Sequence, residues 1–415
     1  MPGAGTRPAT TIAEPRTRLL DVTRLISRAG HGVLTGVDRV ELAYLKRFLA
    51  DTEPFFAISR TTLGYVLLDR AGAGKLLRRL CGDADWGRGF LWRQSPRARV
   101  EADLRRLCVA RCRPGGLAAM LGRYLGPGMV YFNVGHSNLT EAMMQAVHAQ
   151  GAGRVVVFIH DTIPLDFPQF SGVGIPPKFR TRLEAVRRNA DLVICPSDAS
   201  RRDVLRHFGE RLPQPKVIFA HPGIEIAPAG DSGETEPVQP YFVTVGTIEP
   251  RKNHALLLDV WEDLHARLPA GQIPKLFIIG RRGWRNEAVF RRLNSAPYMG
   301  KTVFEISDMA DGPLARLVQG ARALLFPSLA EGFGMPPVEA AAQGVPVIAT
   351  DLAVYRETLG DYPVYLAGRD VYSWRNKIEE QVQSGQTPGG AHGKAGQKPT
   401  IPSWEGHFRH VLGNM

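Results

Sequence analysis

The sequence predicts an α/β protein of two doubly wound domains, each a mostly parallel sheet with helices on both faces. Three observations predict it. Short apolar runs alternate with amphipathic stretches along nearly the whole chain, the pattern of repeated strand–helix units. The clearest runs, 155–159 and 323–326, are continuously apolar, as expected for strands covered on both faces. The alternation breaks once, at 221–240, where Pro222, Pro228, Pro237 and Pro240 stand with three glycines and no period, and then it restarts. A length of 415 residues suits two or three domains.

The elements follow in order. A strand at 19–22 precedes a helix at 37–49, whose Val37, Val40, Leu45, Phe48 and Leu49 share a face. Segments 55–58 and 66–68 are further strand candidates. Strands at 129–134, 155–159, 192–195 and 216–220 alternate with helices at 138–149, 178–189 and 199–207. After the break, strands at 242–245, 276–279, 303–306, 323–326 and 345–349 alternate with helices at 254–268, 285–293, 313–319 and 336–343. Segment 384–402 is rich in Gly, Gln, Lys and Pro and reads as a flexible loop. Segment 403–412 reads as a terminal helix carrying Trp404, Phe408, Val411 and Leu412. The domain reading is a disordered leader at 1–18, a first domain at 19–225, a linker at 226–240 and a second domain at 241–402. The helix at 403–415 is expected to pack back on the first domain. Two such domains facing across a cleft would hold a ligand at the carboxyl ends of their strands.

Composition narrows the function. Hydrophobic residues at 44% and charged residues at 22% exclude wholesale disorder, collagen and coiled coil. The first residues show no apolar core of a secretory signal, and no run approaches the ~20 apolar residues that span a bilayer. The reading is a soluble or peripheral cytoplasmic protein. The four cysteines, Cys81, Cys108, Cys112 and Cys195, lack zinc spacing and read as reduced, mostly buried thiols, with Cys108 and Cys112 on one helical face. The net charge of +12 asks for an anionic partner: nucleic acid, an acidic membrane surface or a phosphorylated ligand. Segment 60–125 holds 14 Lys or Arg against five acids. Within it, 86–93 mixes Trp86, Phe90, Leu91 and Trp92 with Arg88 and Arg93. In 97–112, Val100, Leu104, Leu107 and Cys108 recur at helical spacing opposite arginines. This suits an anionic membrane surface. It equally suits a helix packed on its own domain with a solvated basic face. No RNA-binding module accompanies the charge, so nucleic acid is not expected.

Four segments could carry chemistry. In the first, a strand ends at Phe326, and the Gly-rich loop Glu331-Gly332-Phe333-Gly334 leads into a helix opened by Pro336 and Pro337. Glycines admit a ligand close to the backbone, and a helix N-terminus attracts an anion such as a diphosphate. Glu331 and Glu339 could accept hydrogen bonds from sugar hydroxyls; a plain surface loop would look the same on spacing alone. In the second, Gly246-Thr247-Ile248-Glu249-Pro250-Arg251-Lys252-Asn253 follows a strand directly. Arg251 and Lys252 suit phosphate oxygens there, or form a solvated basic turn. Third, His160-Asp161 follows the strand at 155–159, where His160 is a structural or a functional histidine. The fourth is the loop Gly30-His31-Gly32-Val33-Leu34-Thr35-Gly36-Val37-Asp38-Arg39. It fails as a dinucleotide fingerprint, so NAD is not expected.

Together these segments resemble the retaining, nucleotide-sugar-dependent glycosyltransferases of family 4. The residues that carry the resemblance are Gly246–Asn253 and Pro327-Ser-Leu-Ala-Glu-Gly-Phe-Gly-Met-Pro-Pro-Val-Glu339, whose Glu331 and Glu339 are separated by seven residues. Weaker matches are the loop 32–39, His160-Asp161, Cys195-Pro-Ser-Asp198 and His221-Pro-Gly-Ile224. The resemblance implies the GT-B fold, two Rossmann-like domains across a cleft. It implies transfer of a mannose-, rhamnose- or glucose-type sugar to a glycan or lipid-linked acceptor in surface polysaccharide synthesis, with no metal and no cofactor. It implies that Arg251 and Lys252 neutralise the donor diphosphate and that Glu339 binds the ribose. Glu331 would hold the donor sugar beside the Gly332, Phe333 and Gly334 amides. His160 would sit near the reacting sugar, Thr35 and Gly36 would approach the diphosphate from the other side, and Gly246 would open the phosphate loop. One departure is Thr247, where some members carry Arg. The other readings are a GT-B epimerase or phosphorylase, or a non-catalytic nucleotide-sugar-binding protein.

Overall fold

A computed structural model describes residues 16–30, 32–89, 95–228, 239–384 and 399–415. The expectations for 1–15 of the leader, for 229–238 of the linker, for 385–398 of the flexible loop and for Phe90, Leu91, Trp92 and Arg93 lie outside the described residues, as does His31. Arg18, read as the end of a disordered leader, instead opens the first strand and is buried, paired with Asp51. Chain contacts divide the protein into two compact units. One comprises Met1–Gly30 and Glu41–Val156, the other His31–Val40 and Val157–Met415.

The first unit is built on strands β1 (Arg18–Asp21), β2 (Phe55–Thr61), β3 (Gly64–Asp69), β4 (Ala110–Cys112), β5 (Val130–Asn133) and the start of β6 (Arg154–Phe158). The strand order is β4-β3-β2-β1-β5-β6. Buried β1 is central and parallel to both neighbours, with Leu19 beside Phe56 and Tyr131. The sheet is not parallel throughout. Only Thr62 and Leu63 separate β2 from β3, too few for a crossover, so the two form an antiparallel hairpin, and β4 adds antiparallel to β3. Tyr44, Phe48, Phe55 and Phe132 fill the core, with Phe48 and Phe132 edge-to-face at 4.8 Å.

The basic segment differs from its expectation. The helix is Pro96–Leu107, capped by Ser95; it ends before Cys108, and Cys112 lies in β4, so the two thiols share no helical face. Val100 and Leu104 are buried as expected, but so are Glu101 and Asp103. Asp103 takes Arg79 and Arg106 at 2.9 Å each, and Glu101 takes Arg97 at 3.3 Å. The arginines are thus partly neutralised from within. Of the four free cysteines only Cys195 is buried, and Cys81 is exposed, against the expectation of mostly buried thiols.

The second unit takes up β6 at Val157 and adds β7 (Leu192–Cys195) and β8 (Lys216–Phe219), parallel with Ile194 beside Ile218. Its other sheet holds β9 (Tyr241–Val245), β10 (Lys275–Ile279), β11 (Val303–Ile306), β12 (Ala323–Phe326), β13 (Val347–Thr350) and β14 (Val364–Leu366) in the order β11-β10-β9-β12-β13-β14. Every pairing in this sheet is parallel. Trp261 and Trp374 fill one face, and each indole N–H reaches a carbonyl, of Pro274 at 2.9 Å and of Ala367 at 3.0 Å. The chain winds to β10 on one side of β9 and to β12 on the other. This reversal is the switch point at which α/β sheets bind ligands beyond their carboxyl ends.

The helix Trp404–Gly413 docks on residues 221–224: Ile224 N–H donates to the Pro402 carbonyl at 3.0 Å. His407 is buried there, its Nδ1 3.1 Å from the His221 carbonyl. Burial pushes its imidazole down to about 4 and that of His254 down to about 3. The unfolded chain therefore binds protons that the folded chain does not. Stability is complete above the ordinary histidine range and falls as pH drops from about 6.5 toward 4. The slope is about 1.4 kcal/mol per pH unit for each such group. His407→Phe removes one of the two groups, so its melting temperature should fall less steeply than wild type between pH 6.5 and 4.5, as read by thermal unfolding in that range.

Candidate functional site

The loops that leave β9 and β12 meet at the switch point. After β9, Gly246 has φ +145, and a Cβ there would stand 3.2 Å from the Lys252 side chain. Glycine thus leaves Lys252 its path. The turn Pro250–Lys252 closes on Asn253, which adopts the left-handed conformation that asparagine tolerates. The Asn253 amide donates to the carbonyls of Pro327, at 3.2 Å, and Gly368, at 2.8 Å, and Leu329 N–H donates to the Arg251 carbonyl at 2.7 Å. These bonds fasten the β9 loop to the β12 loop.

Side-chain charge fastens them again. Glu331 receives Arg251 Nη1 at 2.7 Å and Lys252 Nζ at 2.5 Å. Arg251 also meets Glu249 through Nε at 2.6 Å. Lys252 Nζ lies 4.5 Å from the Phe326 ring centroid. Burial would raise the Glu331 carboxyl, but the two cations outweigh it and hold it down to about 2. Burial pushes the Lys252 ammonium down, against the pull of Glu331, and pushes Glu249 up despite Arg251. Both predicted phosphate ligands and the predicted sugar ligand therefore form one buried ionic cluster.

Gly332 explains the glycine loop. A Cβ on it would stand 2.1 Å from the His160 carbonyl oxygen and 3.1 Å from Asp161 Cβ. His160-Asp161, which follows β6, thus lies against the loop through its backbone, and the His160 ring sits 4.6 Å from that of Phe158. Burial raises the Asp161 carboxyl, countered by Arg251. Phe333 is buried with Val338, Ala341 and Leu359, so its side chain anchors the loop. Gly334, at φ +81, caps the helix Met335–Ala342, and a Cβ there would strike Tyr355 at 2.6 Å. On that helix Glu339 receives Arg39 Nη1 at 2.9 Å, while Arg39 Nη2 reaches Asp311 at 2.7 Å. Burial raises the Glu339 carboxyl, with Arg39 opposing. Thr35 donates through its N–H and its hydroxyl to Asp38, at 2.8 and 2.7 Å. Gly36 lies beside Met335, whose Sδ would be 3.3 Å from an added Cβ. All eleven predicted site residues thus belong to one unit, with Thr35 and Gly36 at the helix start and the others around the two loops.

Sequence reading missed the residues that hold the loop from behind. Ser197 Oγ and Ser200 Oγ both donate to the Gly332 carbonyl, at 2.7 and 3.0 Å. Ser197 also accepts from Ser200 N–H and so caps the helix Asp198–Phe208. Glu357 accepts from the N–H groups of Asp198, at 2.6 Å, and Ala199, at 3.0 Å, and takes His221 Nε2 at 2.9 Å. The sequence signals are the weaker family matches Cys195-Pro-Ser-Asp198 and His221-Pro-Gly-Ile224, which carry no assigned role, and Ser-x-x-Ser after a buried strand, which by itself reads as a cap. Among the described residues no group of three His, Cys, Asp or Glu side chains is placed to hold a metal ion.

Residues 231–387 match the family described as Glycosyl transferases group 1, and residues 104–227 match Glycosyltransferase Family 4. A serotype-specific mannosyltransferase of Escherichia coli is 32% identical over 257 residues, which are 58% of this chain and 31% of that protein. The O-antigen chain mannosyltransferase B of Escherichia coli is 28% identical over 55% of this chain and 61% of its own length. The chain thus spans about a third of the first of these relatives and under two thirds of the second. Among solved structures, Anabaena HepE in complex with UDP-glucose superposes with a TM-score of 0.60 at 16% identity, over 96% of this chain and all of that one. Sucrose-phosphate synthase from Thermosynechococcus elongatus gives 0.57 at 15% identity over the same shares. At these identities the likeness is one of fold.

Gly332→Ala should force the His160 and Gly332 loops apart and lower the melting temperature by several degrees. Ser200→Ala, which removes one hydrogen bond and keeps the cap, should cost only about 1 kcal/mol. Thermal unfolding of both variants checks the order; equal losses would contradict the steric account.

Proposed function

We propose that this chain, which belongs to the family 4 glycosyltransferases of the GT-B fold, transfers a hexosyl group from a nucleotide sugar to a glycan or lipid-linked acceptor with retention of configuration. The observation that carries the reading is the Arg251–Lys252–Glu331 cluster at the switch point, on a glycine loop braced by His160. Relatives named as mannosyltransferases and a neighbour solved with UDP-glucose support a nucleotide-sugar donor of hexose type, with mannose first in line. The names of the O-antigen relatives favour surface polysaccharide synthesis, and the reading sets the reaction in the cytoplasm.

In the proposed reaction the bond from the anomeric carbon to the β-phosphate oxygen breaks. The acceptor oxygen bonds to the same face of that carbon. The acceptor proton passes to the leaving phosphate oxygen, so no external base is consumed. Arg251 and Lys252 are already fixed, so they meet the charge growing on the diphosphate without reorganising. The Gly332, Phe333 and Gly334 backbone and the first turn of Met335–Ala342 add dipoles of the same sign, and Thr35 and Gly36 flank them. Glu331 accepts sugar hydroxyls with its remaining lone pairs, and His160 lies beside the reacting sugar. Glu339 accepts the ribose hydroxyls, which compete with Arg39 for it. No resident metal or cofactor enters these steps, because the two cations take the role of neutralising the leaving group.

Incubation with nucleotide sugars carrying mannose, glucose or rhamnose should release nucleoside diphosphate and glycosylate an acceptor with retained configuration, read by mass spectrometry and NMR. Binding without turnover, or interconversion of the sugars, overturns the reading. Lys252→Ala and Glu331→Ala should each lower transfer roughly 10²–10³-fold; near-wild-type turnover by both would sink the site assignment. Because the Glu331 carboxyl is held down to about 2, this group stays ionised across the working range. The pH profile of kcat/KM should therefore show no acid limb that disappears in Glu331→Gln.

A further inference from the structure

The helix Ile175–Asn189 is only half supported. Its side chains become buried at Leu183; from Ile175 to Arg182 none is. Pro176 and Phe179 are half-buried on the face that continues to Leu183, and the other side chains of these first two turns are exposed. The turns are entered through Gly172-Val173-Gly174, with Gly174 at φ +77, which puts Val173 on a turn tip at 97% exposure. Ile175 is 46% exposed and Phe167, at the start of the same protrusion, 38%. Single exposed apolar residues are ordinary, but three within nine positions at one tip are not.

Charge identifies the occupant. Residues 167–182 contain Lys178, Arg180 and Arg182 and no acid. All three cations are exposed, and among the described residues none forms an ion pair. Arginines further along the same helix and on the helix Asp198–Phe208 are matched: Arg187 and Arg188 by Glu184, Arg206 by Asp166. At 1.5 Å per residue Lys178, Arg180 and Arg182 stand about 5, 8 and 11 Å along the helix from Ile175. That is the depth between the acyl boundary and the headgroups at which interfacial segments place their apolar and cationic parts. A small apolar point ringed by cations suits a surface that needs no matching shape.

We propose that residues 167–182 form a membrane-docking element, with Val173, Ile175 and Phe167 entering an anionic bilayer and Lys178, Arg180 and Arg182 at its headgroups. The element is tied to the loop beyond β10: Trp284 Nε1 donates to the Phe170 carbonyl at 2.9 Å and Arg285 to the Ser171 carbonyl at 2.6 Å. Docking would hold this loop at the bilayer. The inference does not rest on the transfer reading and concerns another place than the basic segment 60–125, where Arg79, Arg97, Arg105 and Arg106 pair with Glu101 and Asp103 and the exposed apolar tip of three residues is lacking among the described residues.

Flotation of the full chain with phosphatidylcholine vesicles containing 30% phosphatidylglycerol tests it. Wild type should bind these vesicles at low salt, release at high salt and ignore pure phosphatidylcholine. With each cation contributing about fivefold, Lys178→Gln/Arg180→Gln/Arg182→Gln should bind about a hundredfold more weakly. Val173→Asp/Ile175→Asp should lose binding with an unchanged circular dichroism spectrum, and the emission of Val173→Trp should shift blue on the anionic vesicles alone. Arg97→Gln/Arg99→Gln/Arg111→Gln should bind like wild type. Failure of wild type to float, loss confined to the 97–111 variant, or a dimer that Val173→Asp/Ile175→Asp turns into a monomer each overturns the proposal.

Discussion

The site depends on one buried carboxylate. Glu331 holds Arg251 and Lys252 at hydrogen-bond distance, and through them it joins the loop after β9 to the loop after β12. Neither cation could be buried alone, because the desolvation cost of an unpaired charge runs to several kcal/mol. With Glu249 on the other side of Arg251, two cations face two carboxylates, and the cluster is close to neutral before a ligand arrives. A diphosphate would thus enter fixed dipoles and shared cations. Removing Glu331 strands two buried cations, at a cost of about 3–5 kcal/mol, so its loss is structural as well as chemical. Lys252 is the cleaner probe of charge, since Glu331 keeps Arg251 when it goes.

The backbone is arranged around that cluster by exclusion. Gly246 leaves space for the Lys252 stem, Gly332 for the His160 carbonyl and Gly334 for the Tyr355 ring. Each glycine marks a close approach, and two of them also need positive φ. Ser197 and Ser200 then fix the Gly332 carbonyl. A trans, planar peptide points the next N–H the opposite way, so the two hydroxyls also aim the Phe333 N–H away from themselves. The loop is therefore positioned from both sides, by contact at Gly332 and by hydrogen bonds at its carbonyl.

What was legible in the sequence follows from distance along the chain. The second sheet and its loops could be read because strand, glycine loop, prolines and helix stand within 14 residues of one another from Phe326 to Glu339. The pairs that finish the site could not. Arg39 and Glu339 lie 300 positions apart, and Ser200 and Gly332 lie 132 apart; no local period reports such a meeting. The β2–β3 hairpin escaped for another reason. Its apolar runs look like any buried strands, and only the two-residue connection excludes a parallel pairing. The helix Pro96–Leu107 misled because charge was taken as exposure. Glu101 and Asp103 are buried on it, since neighbouring arginines supply partners that a helical wheel does not show.

This last point changes what a net charge of +12 means. How positive charge serves a partner depends on the acids that already share it. In segment 60–125, the richest in arginine, Glu101 and Asp103 take up Arg79, Arg97 and Arg106. At the switch point, Glu331 and Glu249 share the cations that face the proposed diphosphate. By contrast Lys178, Arg180 and Arg182, three cations that no count along the sequence would single out, stand exposed on one helix and form no ion pair among the described residues. Pairing as well as abundance decides how an anion is met: at the switch point by fixed, shared cations, at the surface by unpaired ones. The same reasoning that makes Glu331 central to the site makes the exposed start of Ile175–Asn189 a place where charge is left to act outward.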